Sequence, residues 1–315
     1  MLTEKLANIT PPGLMNNSLK FILFILFFFT NLNFAEAQKQ FPPEKSDKSL
    51  TDKLNSIINK FDGDAGVYVR NLKTGKTVNI AADSIFPTAS MIKIPIMIGI
   101  FYAIQENKLD YEQELIYRDS LFYPGEDILG SFKDSASIHL DKVVMLMMTT
   151  SDNTASLWCQ HLAGTGTVIN KILNNYNFEH TRVNSRTPGR KDFQEKWGWG
   201  QTTPREMAEL MVLIRSGKML NKEASDRMYR NLTRTYWDEE AVSQIPATVQ
   251  VASKQGAVNQ SKSEVVLVNA PSGDYVFCII TKNQKDEKWE KDNEGYELIR
   301  KVSKVIWDHF EPKVK

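Results

Sequence analysis

Leu50, Leu54, Ile57, Ile58 and Phe61 recur at three- and four-residue intervals, which predicts a helix with one buried face. Two short strands follow, Gly66–Arg70 and Thr77–Ala81, joined by the polar turn 71–76. From Thr88 to Met219 the spacing is mainly helical. Within it, Leu140 to Met148 is nearly all apolar and predicts a buried central helix. Thr203-Pro204-Arg205-Glu206 reads as a capping box with Pro at the first helical position. Met207, Leu210, Met211 and Ile214 continue that helix, and Gly217 can end it. Strands return at Val249–Ser253, Glu264–Asn269 and Tyr275–Thr281, the last two turned by 270–274. Leu298, Ile299, Val302, Val305, Ile306 and Phe310 mark a closing amphipathic helix.

This order predicts an α/β (α+β) protein. Both chain ends complete one antiparallel sheet flanked by N- and C-terminal helices, with an all-α insert between them. The expected boundaries are an α/β subdomain from 38–86 and 218–315 and a helical subdomain at 87–217, forming one domain over 45–312. No internal repeat is evident.

The first 37 residues read differently. Lys20 precedes a nine-residue apolar run, Phe21 to Phe29, and Ala35-Glu36-Ala37 supplies an A-x-A cleavage site. That is a secretory signal peptide, cleaved after Ala37, with an uncleaved anchor as the alternative. The run is about half of the ~20 residues that a spanning helix needs. Translation from Met15 would put Lys20 near the start. The mature chain is thus expected to be periplasmic or secreted, with no stable membrane anchor. An oxidising compartment could join Cys159 and Cys278, but their apolar neighbours favour two buried thiols.

Composition narrows the function classes. The chain is 42% hydrophobic and 24% charged, with a net charge of +1, so it is neither disordered nor a multi-span membrane protein. Nothing supplies the basic field of a nucleic-acid binder. The four histidines sit at no metal-ligand spacing, and neither a metal nor a cofactor is expected.

Three motifs carry chemistry. In Ser90-Met91-Ile92-Lys93 a hydroxyl and an amine share one helical face. Serine needs a base to become a nucleophile, and a lysine serves when burial or a second cation favours its neutral form. Ser151-Asp152-Asn153 follows 61 residues later and offers a second hydroxyl to relay a proton. Lys254-Gln255-Gly256-Ala257 lies on a strand, where a lysine sets positive potential and a glycine allows close approach. Each motif also has a plain reading: a surface Ser and Lys, a helix cap, a solvated lysine.

S-x-x-K, then S-D-N, then K-x-G in that order is the signature of serine β-lactamases and penicillin-binding proteins. The chain resembles the class A β-lactamase family over about residues 45–312. The resemblance rests on Phe86-Pro87-Thr88-Ala89-Ser90-Met91-Ile92-Lys93, Thr150-Ser151-Asp152-Asn153-Thr154-Ala155, Thr202-Thr203-Pro204-Arg205-Glu206-Met207 and Lys254-Gln255-Gly256-Ala257. It implies the β-lactamase/transpeptidase-like fold, with Ser90 as the acylated nucleophile and Lys93 as its base or proton carrier. By the same resemblance Ser151 shuttles the proton, Asn153 orients the substrate and Lys254 supplies charge. The N–H groups of Ser90 and Ala257 form an oxyanion hole, Gly256 lets the substrate lie along the strand, and Tyr123 forms one wall of the cleft.

The departures bear on function. The family's deacylating glutamate falls on Thr187, before Pro188, and Thr187 cannot act as a base. Asp192 and Glu195 are the carboxylates in that loop and the candidate replacements. The family's arginine–aspartate clamp is also missing, with Gly200 at the aspartate position. Gln255 replaces a hydroxyl that binds the substrate carboxylate, and Lys262 is the nearest cation to the missing arginine partner. The leading expectation is a monomeric serine hydrolase that opens the amide bond of a β-lactam. The alternatives are a penicillin-binding, peptidase, amidase or esterase-type enzyme on a peptide-like exported substrate, with slow or no β-lactam turnover, and a binding protein without turnover.

Overall fold

Along Tyr275–Lys282 the side chains alternate between two hydrophobic cores. Tyr275, Phe277 and Ile279 face one core; Val276, Cys278 and Ile280 face the other. That two-residue period is the signature of a strand buried on both faces. The computed structural model describes residues 41–125 and 127–312, so the expected signal peptide lies outside the described residues.

The described chain begins with β1 (Lys45–Ser46) and α1 (Lys48–Ile58), then the hairpin β2 (Asp64–Asn71) and β3 (Lys76–Ile80), then β4 (Phe86–Pro87). A 3-10 turn at Ala89–Ile92 leads into α2 (Lys93–Gln105). The pair β5 (Glu114–Ile116) and β6 (Ser137–His139) precedes α3 (Leu140–Thr149), α4 (Asn153–Leu162) and α5 (Thr165–Asn175). Next come β7 (Arg182–Val183), α6 (Lys191–Trp197), β8 (Gly200–Thr202), α7 (Pro204–Arg215) and α8 (Lys222–Leu232). The meander β9 (Val251–Val258), β10 (Ser261–Val268) and β11 (Tyr275–Lys282) ends in α9 (Glu294–Phe310).

The main sheet has the order β1-β3-β2-β11-β10-β9. The chain ends therefore meet at β2 and β11, as the element order implied. The sheet is mixed rather than purely antiparallel, because β1 runs parallel to β3. Lys45 N and Asp47 N donate to Gly75 O and Thr77 O, which covers an edge that would otherwise stay unpaired. Asp47 then caps α1 by accepting from Leu50 N. Helices α1 and α9 cover one face with Leu50, Leu54, Leu298, Ile299, Val302 and Ile306. The other face packs against the helical segment between β3 and β9.

The enclosed helix is α2, in which ten of thirteen residues are buried. The apolar run at Leu140–Met148 forms α3, but only one face of it is buried, through Leu140, Val143, Val144, Met147 and Met148. Thr203 caps α7 by accepting from Glu206 N, with Pro204 at the first position. The reciprocal half of the capping box does not form. The Glu206 carboxylate instead accepts from the N–H groups of Glu179, His180 and Thr181, tying β7 to α7. Cys159 and Cys278 are separate buried thiols, so the disulfide alternative fails. Among the described residues no helix is long and apolar enough to cross a membrane.

Candidate active site

Ser90 sits in the 3-10 turn between β4 and α2, where the sheet meets the helices. Ala89 before it takes φ +43°, a left-handed conformation unusual for a residue with a side chain. Such strain persists only where the surroundings over-determine it. Here Thr88 N donates to Gly200 O and Met91 N to Thr88 O, which fixes both ends of the turn. Lys93, one turn on, is fully buried. Its Nζ lies 3.0 Å from Ser90 Oγ, 3.0 Å from Ser151 Oγ, 2.5 Å from Ser151 O and 2.9 Å from Asn153 Oδ1.

The second motif reaches Lys93 through an unusual backbone. Ser151 has φ +66°, which directs both its hydroxyl and its carbonyl at Lys93. Asp152 is the N-cap of α4, accepting from Ala155 N at 2.7 Å. Its other oxygen accepts from Ile128 N and Leu129 N at 2.6 and 2.8 Å. Asp152 thus caps the helix, while Ser151 and Asn153 turn to Lys93. Asp152 and Thr154, whose Oγ1 accepts from Tyr123 N, anchor the segment that carries Tyr123.

The third motif closes the site from β9. Lys254 Nζ donates to Ser151 Oγ at 3.1 Å and to Gln255 Oε1 at 2.8 Å. Ser90 Oγ, Lys93 Nζ, Ser151 Oγ and Lys254 Nζ thus form one chain of hydrogen-bonding atoms. At Gly256 the strand runs close against the nucleophile turn. A Cβ there would lie 2.6 Å from Thr88 O and 2.9 Å from Ser90 N. Ala257 follows it in the same cleft. Behind Lys254, on the opposite face of the sheet, is the buried Glu264, which accepts from Ser253 Oγ and Ala241 N. Burial pushes its carboxyl up to about 7.

The cleft has two halves that meet at Ser90, Asn153 and Ala257, with cavities of about 450 and 390 Å³. The first is walled by Pro87, Tyr123, Trp197, Trp199, Val258 and Lys282. Tyr123 stands edge-on to Trp199 at 5.2 Å. The second half holds Ser151, Trp237, Glu240, Gln255, Trp289 and Tyr296. Trp237, Trp289 and Trp199 were missed in the sequence because isolated aromatics in loops carry no periodic signal.

The loop at 184–200 does not bring its carboxylates to Ser90. Asp192 and Glu195 are exposed on α6, and neither lines the cleft. Glu195 instead lies 3.9 Å from Lys191 on the same helix. Thr187 donates its hydroxyl to Ser185 O. Gly200 leaves no room for a clamp aspartate, since a Cβ there would lie 2.3 Å from Ile92 Cδ1. Arg190 ties the loop instead, donating to Asn184 Oδ1 at 2.7 Å and Gln201 Oε1 at 2.9 Å. Lys262 does not take the place of the missing arginine. It is buried behind Trp289, donates to Val258 O, and burial lowers its pKa to about 8.

Fold and site together define a serine hydrolase of the class A β-lactamase-like kind. Residues 49–310 match the β-lactamase enzyme family, and the chain belongs to that family. It is 21% identical over 304 residues to β-lactamase VEB-1 of Pseudomonas aeruginosa, covering 92% of this chain and 97% of that one. The solved structure of PBP-A is similar at TM-score 0.77 and 28% identity, covering 86% of this chain and 99% of that one. A mutant of PBP-A, solved as an acyl-enzyme complex with penicillin G, matches at TM-score 0.76. A β-lactamase structure from Sphaerobacter thermophilus shares the fold at TM-score 0.75 and 20% identity, covering 85% of this chain and all of that one.

Proposed function

We propose that this enzyme opens the amide bond of a β-lactam through an ester at Ser90, and that the ester is long-lived. The observation that carries the reading is the placement of Lys93 Nζ 3.0 Å from both Ser90 Oγ and Ser151 Oγ. Neutral Lys93 takes the Ser90 proton as Oγ bonds to the carbonyl carbon. The N–H groups of Ser90 and Ala257 receive the developing oxyanion. The C–N bond then breaks, and the leaving nitrogen takes a proton from Ser151 Oγ, which Lys93 replaces. Asn153 orients the amide, and Lys254 holds positive potential beside Ser151.

Water must next cleave the ester and return a proton to Ser90. A positioned base contributes about 10²–10⁴-fold to such a step. Loop 184–200 turns Thr187 toward Ser185 and leaves Asp192 and Glu195 in solvent, which supports slow deacylation. The acyl-enzyme complex reported for the PBP-A mutant supports the same reading. Gln255 supports a second reading, a peptidase, amidase or esterase on another exported substrate. Its Oε1 is engaged by Lys254, so it does not present a small hydroxyl to a substrate carboxylate. The A-x-A site ending at Ala37 supports export to the periplasm or beyond.

The test is a chromogenic cephalosporin mixed with the purified protein, following absorbance and intact mass together. The expected result is a burst of one equivalent of product, one bound acyl group and a slow steady state. Rapid turnover with no accumulated adduct would refute the long-lived ester.

A further inference from the structure

We propose that the cleft half beside Tyr123, Trp197 and Trp199 selects an acyl side chain that carries a carboxylate, through Lys196 and Lys282. The proposal rests on acylation at Ser90 and adds the charge of the group acylated. Substrate direction follows from the proton relay. The leaving nitrogen must reach Ser151, and Ser151 lines only the half with Trp237 and Gln255. The acyl side chain therefore extends the other way, into the cavity of about 450 Å³.

Two ammonium groups from separate elements converge in that cavity. Lys196 on α6 and Lys282 on β11 lie 5.0 and 5.4 Å from the centroid of the same Trp197 ring. Lys282 is held in place, donating to Ile85 O at 3.0 Å with its ammonium 4.6 Å from the Phe86 ring. Among the described residues, neither ammonium has a carboxylate within 4.0 Å. Asp64 lies opposite Lys282 in the strand ladder, but its carboxylate accepts from Asn283 Nδ2. The other half of the cleft is different. There Lys291 pairs with Glu239 at 3.3 Å, and Glu240 with Arg300 at 2.6 Å. Lys291 at the rim of the leaving side is thus paired with a carboxylate, whereas Lys196 and Lys282 on the acyl side are not.

An aromatic wall with two unbalanced ammonium groups fits an aryl or apolar side chain bearing an anion. It disfavours one bearing an amine, because like charges repel across a partly desolvated cleft. About tenfold discrimination is a reasonable size for two partly exposed cations, and salt should reduce it.

The experiment measures the second-order rate of adduct formation by intact mass with three matched penicillins. They are benzylpenicillin, α-carboxybenzylpenicillin and α-aminobenzylpenicillin. The carboxylated compound is expected to react about tenfold faster than the amino compound at low salt, with the ratio shrinking at 0.5 M salt. Lys282→Glu should invert the ratio, and Lys196→Gln, on an exposed helix, should reduce it without a folding risk. Equal rates for all three compounds, or a ratio insensitive to salt and to Lys196→Gln, would overturn the proposal while leaving Ser90 chemistry intact. Failure of all three to form an adduct would overturn the acylation reading and this one with it.

Discussion

Gly256→Ala puts the geometry of the site to a quantitative test. The new methyl would sit 2.6 Å from Thr88 O, against 3.4 Å for ordinary contact, a shortfall of about 0.8 Å. The obstructing atom is backbone in a turn already pinned at both ends, so no side-chain rotation relieves it. Ser90 N, at 2.9 Å, is crowded by the same methyl. Strand β9 must move away from the Ser90 turn, and Ala257 moves with it. A displacement near 1 Å costs about 10²-fold in a positioned reaction, or about 2.7 kcal/mol of barrier. Overpacking adds about 1–3 kcal/mol of lost stability. The assay is the second-order rate of acylation by a reporter penicillin, with urea unfolding run in parallel. A folded variant that acylates at the native rate would refute the close approach of strand and nucleophile.

Four further substitutions test the surrounding supports. Asp152→Ala strips the acceptor from the N–H groups of Ile128, Leu129 and Ala155 and should cost about 3 kcal/mol or more by urea unfolding; a loss below 1 kcal/mol would count against it. Glu264 has a folded pKa of about 7 against an ordinary 4.5, so the folded chain binds the extra proton between those values. Its contribution is therefore greatest at low pH, falls as pH rises through that window, and is about 3 kcal/mol less favourable above pH 7. Glu264→Gln should remove that slope from the difference between the two unfolding curves, and parallel pH profiles would contradict the assignment. Asp192→Asn and Glu195→Gln should leave the lifetime of the acyl-enzyme unchanged, and a longer lifetime in either would show that the carboxylate reaches the ester.

Much of this architecture was legible where periodicity is strong. Tyr275 to Ile280 is a continuous apolar run, as a strand buried on both faces requires, and the C-terminal helix carries an unbroken apolar stripe. The two-residue strands β1, β4 and β7 were not legible, because pairs such as Lys45-Ser46 have no period to detect. Strand β10 begins at Ser261 rather than Glu264, because Lys262 and Ser263 are polar yet buried with backbone partners. Helix α2 hides its function in its sequence: a run of isoleucines follows Lys93, and only the spacing to Ser90 marks that lysine. The three motifs meet at Lys93 and Ser151, residues far apart in the chain that the fold brings together. Apart from Tyr123, the cleft walls did not emerge from sequence, because Trp197, Trp237 and Trp289 come from separate loops and helices that only the fold brings together.

The central claim is that Ser90, served by Lys93, is the residue acylated. Peptide mapping of the protein after exposure to penicillin G tests it most directly. One acyl group is expected, on the peptide containing Ser90, and none on the folded Ser90→Ala protein. An adduct on another residue, or one that survives Ser90→Ala, would contradict the account.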